Sequence, residues 1–176
     1  AAHSAALLQP LDIKGALLGA LHPLQTFPDI DSAIRVLPST FIFVEGGPES
    51  LPILRDLGQK LGHSGYESEG GQKVLYHLSA VFVCNLFCSL MYASEGIMEK
   101  IGVNLDPFFP IIKATLENIE QKGPLLSLTG PVVRGDGGTI RSHIGAMAGM
   151  DRHRDIYRAL SLVALDMVET RGLLGS

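Results

Sequence analysis

The stretch "QKVLYHLSAVFVCNLFCSLMYASEGIMEKIG", Gln72 to Gly102, runs for about 30 residues with no proline and with glycine only at Gly96 and Gly102. At 1.5 Å per residue this predicts one helix about 45 Å long. From Leu78 to Met98 it is apolar round most of its circumference. A helix of that kind is covered by protein or lies in a bilayer. Val74 to Ser94 carries no charge and has the length of a membrane span. His77, Ser79, Asn85 and Ser89 interrupt it, and no basic flank marks an inside face. The expectation is therefore a core helix of a helical domain at a subunit interface. It implies a homodimer through this helix and no membrane partner.

On the C-terminal side the pattern stays helical. "NLDPFFPIIKATLENIEQKG" (Asn104–Gly123) offers Asp106 as an N-cap, Pro107 at the first helical position and Gly123 as the stop. "TIRSHIGAMAG" predicts a short helix, and "RDIYRALSLVALDMVETRG" an amphipathic one. The N-terminal side has a different character. "GALLGALHP" (Gly15–Pro23) reads as a buried parallel strand ended by proline, and "STFIFVEGG" (Ser39–Gly47) as a second strand. "ESLPILRDLGQKLG" (Glu49–Gly62) follows as an amphipathic helix, and "HSGYESEG" offers one more short strand. The fold class is thus α+β. A strand-helix segment, residues 1–68, leads into an all-α segment, residues 69–176, built round one long central helix.

Composition narrows the partners. The chain has 176 residues, 46% hydrophobic, with 14 Lys plus Arg against 18 Asp plus Glu and a net charge of −4. No basic run occurs, which argues against nucleic acid. Cys84 and Cys88 sit one helical turn apart in an apolar run. They suggest neither a disulfide framework nor a metal site, and a cytoplasmic protein is expected. The opening "AAHSAALLQP" lacks a Met and the features of a secretory signal, and reads as a chain entered partway through.

Three polar clusters carry candidate chemistry. "HPLQTF" puts His22 at the end of a strand, where α/β sheets bind ligands and where an imidazole can move a proton near neutral pH. The alternative is a turn with a capping His. In "GGQKVLYH", Lys73 and His77 share one helix face, with Asn85 about 120° round from Lys73. They line a cleft or form a solvated first turn. The glycine-rich loop in "LSLTGPVVRGDGGTIRSHIG" (Leu126–Gly145) offers Arg134 as a fork for a carboxylate or phosphate. Asp136 is placed to hold that Arg, and Thr139 to cap the next helix. Arg134 and Asp136 either brace a helix connection or bind a ligand. No G-x-G-x-x-G and no P-loop occurs.

Taken together, "LHPLQTF", "KVLYHLSAVFVCN", "TLENIEQKGPLLSLTGPVVRGDGGTIRSHI" and "IYRALSLVALDM" carry a resemblance. The chain resembles bacterial proteins in which a Rossmann-like NAD(P)-binding domain precedes a helical domain of unknown function 2520. In plan these are similar to the 6-phosphogluconate and β-hydroxyacid dehydrogenase superfamily. The resemblance implies that residues 1–68 are the last part of a Rossmann-like sheet, whose domain would begin about 90 to 110 residues earlier. Residues 69–176 are then the dimerisation and substrate domain. It implies an NAD(P)-dependent oxidoreductase in the intact protein. That enzyme would pass a hydride to or from a small, carboxylate-bearing substrate in an interdomain cleft. NADP or NAD is the implied cofactor, with none held tightly by this chain and no activity in the isolated chain.

Lys73 matches the superfamily's catalytic or substrate-binding lysine, and His77 stands where an asparagine is usual. His22, with Pro23, looks like the His-Pro that lies near the nicotinamide in prephenate dehydrogenases. The resemblance makes Ser4, Gln25, Asn85, Thr129, Arg134 and Asp136 candidates for substrate binding, although Ala5 stands where the pattern at Ser4 expects Gly. The rival expectation is a non-catalytic ligand-sensing or dimerisation module of the same fold.

Overall fold

The computed structural model describes residues 5–67 and 72–174. Ser4 lies outside them. By its own contacts the chain divides into two compact units, residues 1–90 and 91–176.

The first unit opens with a 3-10 helix, Ala5–Lys14. Three strands then form one sheet in the order β1 (Gly19–Pro23), β2 (Phe41–Gly46), β3 (His63–Glu67). Helix α1 (Ile30–Val36) follows β1. Its N-cap is Asp29, whose carboxylate accepts from the Ser32 amide at 2.7 Å. Helix α2 (Leu51–Leu61) joins β2 to β3, which pair in parallel, so these three elements make a βαβ unit. The amphipathic helix and the third strand are where the sequence places them. The α1 helix and the 3-10 opening are not foreseen.

The expectation of a parallel first strand is corrected, because β1 runs antiparallel to β2. The backbone explains it. Leu24, just past β1, donates its amide to the carbonyl of Phe41 at 2.8 Å, so the end of one strand lies beside the start of the next. Helix α1 has seven residues and spans only about 10 Å, too short for a crossover of the sheet.

Strand alternation separates two faces of β2. Ile42 and Val44 are fully buried on one face, against α2. There Gly58 comes so near that a Cβ would stand 3.6 Å from Ile42. Phe43 and Glu45 occupy the opposite face. Register places His22 across from Phe43 and Ala20 across from Glu45, so His22 shares that face. It is the face that meets the long helix.

The long helix forms as the sequence dictates, in segments. Helix α3 (Gln72–Val81) passes through a π turn, Phe82–Leu86, into α4 (Phe87–Met98) and a closing 3-10 turn, Glu99–Ile101. Gly102, at φ 73°, ends it in the left-handed conformation that glycine adopts without steric cost. The composition changes at residue 68, but the first turns of the helix pack on the sheet, so the compact unit extends to residue 90.

The second unit holds α5 (Phe109–Ser127), α6 (Gly137–Ala146) and α7 (Asp151–Leu174). Asp106 does not cap α5. It begins a 3-10 turn, Asp106–Phe108, and its carboxylate accepts from the Asn104 amide nitrogen at 2.7 Å. Gly123 does break α5, at φ 75° and ψ 161°. The Arg171 guanidinium of α7 donates to the carbonyls of Leu125 and Leu128, groups left without partners at the end of α5. Met147 and Met150 are the buried hydrophobes of this unit among the described residues. The α+β class is the one observed.

Candidate functional site

Two strands and one helix turn build the site in the first unit. His22 comes from β1, Phe43 and Glu45 from β2, and Lys73, Tyr76 and His77 from α3. The helical residues fall at i, i+3 and i+4 and therefore share one face. The Tyr76 ring stacks on Phe43, with centroids 4.0 Å apart and planes 14° from parallel. His22 lies 5.7 Å from Tyr76 and 6.4 Å from His77, the latter edge-on.

Lys73 is 5% exposed. Its ammonium donates to Glu45 Oε2 at 3.1 Å, and the other carboxylate oxygen accepts from the Ala5 amide at 3.2 Å. A charge taken from water needs an opposite charge and hydrogen bonds around it, and Glu45 supplies the charge here. Only one N–H of the ammonium is used by that pair, out of three.

The electrostatics follow from burial. Burial first of all, and then positive charge nearby, that of Lys73 included, hold His22 below its ordinary 6.5. Its imidazole is neutral at pH 7. Burial, and then the Glu45 carboxylate, push the Tyr76 phenol above its ordinary 10.0, so it keeps its proton. Among the described residues, three buried side-chain polar atoms have no hydrogen-bond partner, and two belong to this cluster: His22 Nδ1 and the Tyr76 hydroxyl. The third is Nε of Arg154 in the second unit.

The structure thus brings together His22, Lys73 and His77 of the expected residues. It adds Glu45 and Tyr76, which sequence reasoning missed. Glu45 had a legible signal: in "FIFVEG" it alternates with Val44, on the face of Phe43 and His22. Gln25 is exposed, and its side-chain oxygen accepts from the next amide, Thr26, at 2.9 Å. Asn85 lies in the π turn, exposed. A phase counted at 100° per residue does not carry through such a turn.

The remaining candidates belong to the second unit. Thr129 is exposed in the loop after α5. Asp136 does not hold Arg134, and no ion pair within 4.0 Å joins them among the described residues. Asp136 is instead the N-cap of α6, accepting from the Thr139 amide at 3.0 Å and the Thr139 hydroxyl at 2.7 Å. These bonds, the hydroxyl first, hold its carboxyl below the usual range. Thr139 is therefore the capped residue, where the sequence suggested the capper. Arg134 is exposed. His143, one turn further on, meets the Tyr157 hydroxyl at 3.0 Å.

Comparison with known proteins gives the fold a context. The chain superposes on protein TM1727 of Thermotoga maritima with a TM-score of 0.77, at 22% identity, over 91% of this chain and 65% of that one. It superposes on a Bacteroides fragilis protein, described as "putative NADP oxidoreductase BF3122", with a TM-score of 0.73. Identity there is 24%, over 84% of this chain and 57% of that one. The chain thus spans less than two thirds of the length of either. No curated protein matches it. The model of a family described as "Domain of unknown function (DUF2520)" matches residues 40–164, a span that holds β2, the first turns of α3 and the Arg134 loop. The chain belongs to that DUF2520 family.

Proposed function

We propose that this chain is the part of an NAD(P)-dependent oxidoreductase that handles the proton accompanying hydride transfer to or from a small substrate. The observation that carries the reading is the pair of orphaned buried polar atoms, His22 Nδ1 and the Tyr76 hydroxyl. Buried polar groups are nearly always hydrogen-bonded, and those that are not mark places where a ligand or water completes the bond. The neutral His22 ring and Pro23, at the end of β1, would lie beside a nicotinamide-bearing cofactor, with Nδ1 left for the substrate oxygen. G-x-G-x-x-G occurs nowhere in the sequence, so these residues fit that end of the cofactor and not its pyrophosphate. When bound, the nicotinamide supplies or takes the hydride.

The chain's own residues do the rest. The neutral His22 imidazole accepts or returns a proton, and Lys73 directs a remaining N–H at the substrate oxygen, held in place by Glu45. His77, edge-on to His22, fixes the ring. Support also comes from a neighbour of the same fold whose name includes NADP oxidoreductase.

One observation favours a second reading. The Lys73 ammonium is tied into a buried pair, as a purely structural lysine would be, which suits a ligand-sensing module without turnover. The test is to titrate the protein, in its full natural length, with NADPH and follow the melting temperature. A ligand that binds only the folded state raises it by mass action. The oxidoreductase reading expects a rise together with NADPH consumption on screening small ketones and 2-oxo acids. A rise with no turnover favours the sensing module. No rise with NADPH or NADH overturns the oxidoreductase reading.

A further inference from the structure

We propose that Tyr76 is a substrate-positioning residue, its hydroxyl forming with His22 Nδ1 a two-point site for one small uncharged oxygen function, a hydroxyl or a carbonyl. The proposal rests on the oxidoreductase reading for its purpose, and on separate observations for its geometry. The Tyr76 ring is fixed from two sides, stacked on Phe43 at 4.0 Å and beside the His22 ring at 5.7 Å. A ring held this way cannot swing its hydroxyl out to water without breaking the stack. The hydroxyl is buried and has no partner, and the same holds for Nδ1 of the neighbouring His22 ring. Two orphans on adjacent rings are explained together by one guest that bonds to both.

The chemistry of the pair selects that guest. Glu45 and Lys73 belong to the same meeting of sheet and helix but neutralise each other at 3.1 Å. Besides the remaining N–H groups of Lys73, the groups left to meet a ligand are a neutral imidazole and a phenol that keeps its proton. A phenol O–H donates to an oxygen lone pair, and an imidazole nitrogen accepts from or donates to the same atom. Neither compensates a full negative charge. The oxygen bound here is therefore that of an alcohol, ketone or aldehyde, and a substrate carboxylate must be held elsewhere.

Tyr76→Phe removes the hydroxyl and keeps the stack, and His22→Gln tests the partner. The probes are hydroxyacetone and acetate at equal millimolar concentrations. The readouts are the 15N resonances of the His22 ring and the melting temperature. The expected result is that hydroxyacetone shifts the His22 resonances and raises melting in the wild type, and acetate does neither. In Tyr76→Phe both responses fall at least tenfold in apparent affinity, with the unliganded protein melting no lower than the wild type. Equal responses in wild type and Tyr76→Phe would overturn the proposal. So would preference for acetate, or no response to hydroxyacetone, which leaves the two atoms bridged by a buried water only. None of these outcomes depends on NADPH, so a failure here is distinct from a failure of the oxidoreductase reading.

Discussion

Replacing Lys73 by Met removes one half of a buried ion pair and takes from the Glu45 carboxylate the cation that compensates it. Uncompensated buried charge is expensive, so Lys73→Met should lower unfolding free energy by about 3 kcal/mol in urea titrations. Adding Glu45→Gln should restore part of it. A single variant as stable as the wild type would show that the pair is not a structural tie. His22 makes a prediction of a different kind. Its pKa is lowered in the folded state, so below 6.5 the unfolded chain takes up a proton that the native chain resists. Stability should therefore fall as pH drops through 6.5 and level off below the native pKa. The difference between wild type and His22→Gln should shrink correspondingly as pH rises to 8, as followed by melting temperature. At this scale the sequence showed His22, Lys73 and His77, because a polar residue in an apolar run stands out. Tyr76 was hidden, because a tyrosine in an apolar helix has the look of core until its ring partners are known.

The start of helix α6 shows how an element's anchor can be misassigned by one side chain. Asp136 sits three residues before Thr139, the spacing of an N-cap carboxylate and the amide it receives. Asp136→Ala should lower the melting temperature by roughly 2 to 4 °C, the usual effect of a lost cap in a chain of this size. Arg134→Ala should leave it nearly unchanged, since among the described residues no ion pair within 4.0 Å and no cap depends on that side chain, whose charge is only a minor influence on Asp136. A drop for Arg134→Ala would revive the idea that the loop is braced by its arginine. The helices themselves were legible: proline and glycine punctuation gave the break at Gly123 and the stop at Gly102. The sheet was legible only as strands. Their apolar runs do not encode direction, and the antiparallel placement of β1 follows from the short α1 connection, which carried no strong period. The π turn at Phe82–Leu86 has no signature in a uniformly apolar run either.

For the whole molecule the unresolved quantity is apolar surface. Among the described residues the buried hydrophobes are Ile42, Val44, Met147 and Met150. By contrast, Phe82 is 61% exposed and Val83 72% exposed on the long helix, in a chain that is 46% hydrophobic. Gln72–Ile101 is the one helix among the described residues long and apolar enough to cross a membrane, and none of its most apolar stretch is buried within the chain. Patches of this extent on soluble proteins mark interaction surfaces. Two partners suit an apolar helix, lipid and another protein surface. Lipid is the poorer one. Asn85 is exposed in the span, and a side-chain amide facing hydrocarbon is costly unless another helix meets it. A second copy of the same helix offers matching apolar residues and polar partners at once, in a self-complementary contact. We therefore expect a homodimer through this helix. Light scattering at micromolar concentration without detergent should give twice the chain mass. Phe82→Asp with Val83→Lys should shift it to the single-chain mass or to aggregates, with the His22, Lys73 and Tyr76 cluster of the sheet face untouched. A monomeric wild type in detergent-free buffer would count against the dimer. Recovery only in the membrane fraction would turn the same surface into a bilayer contact.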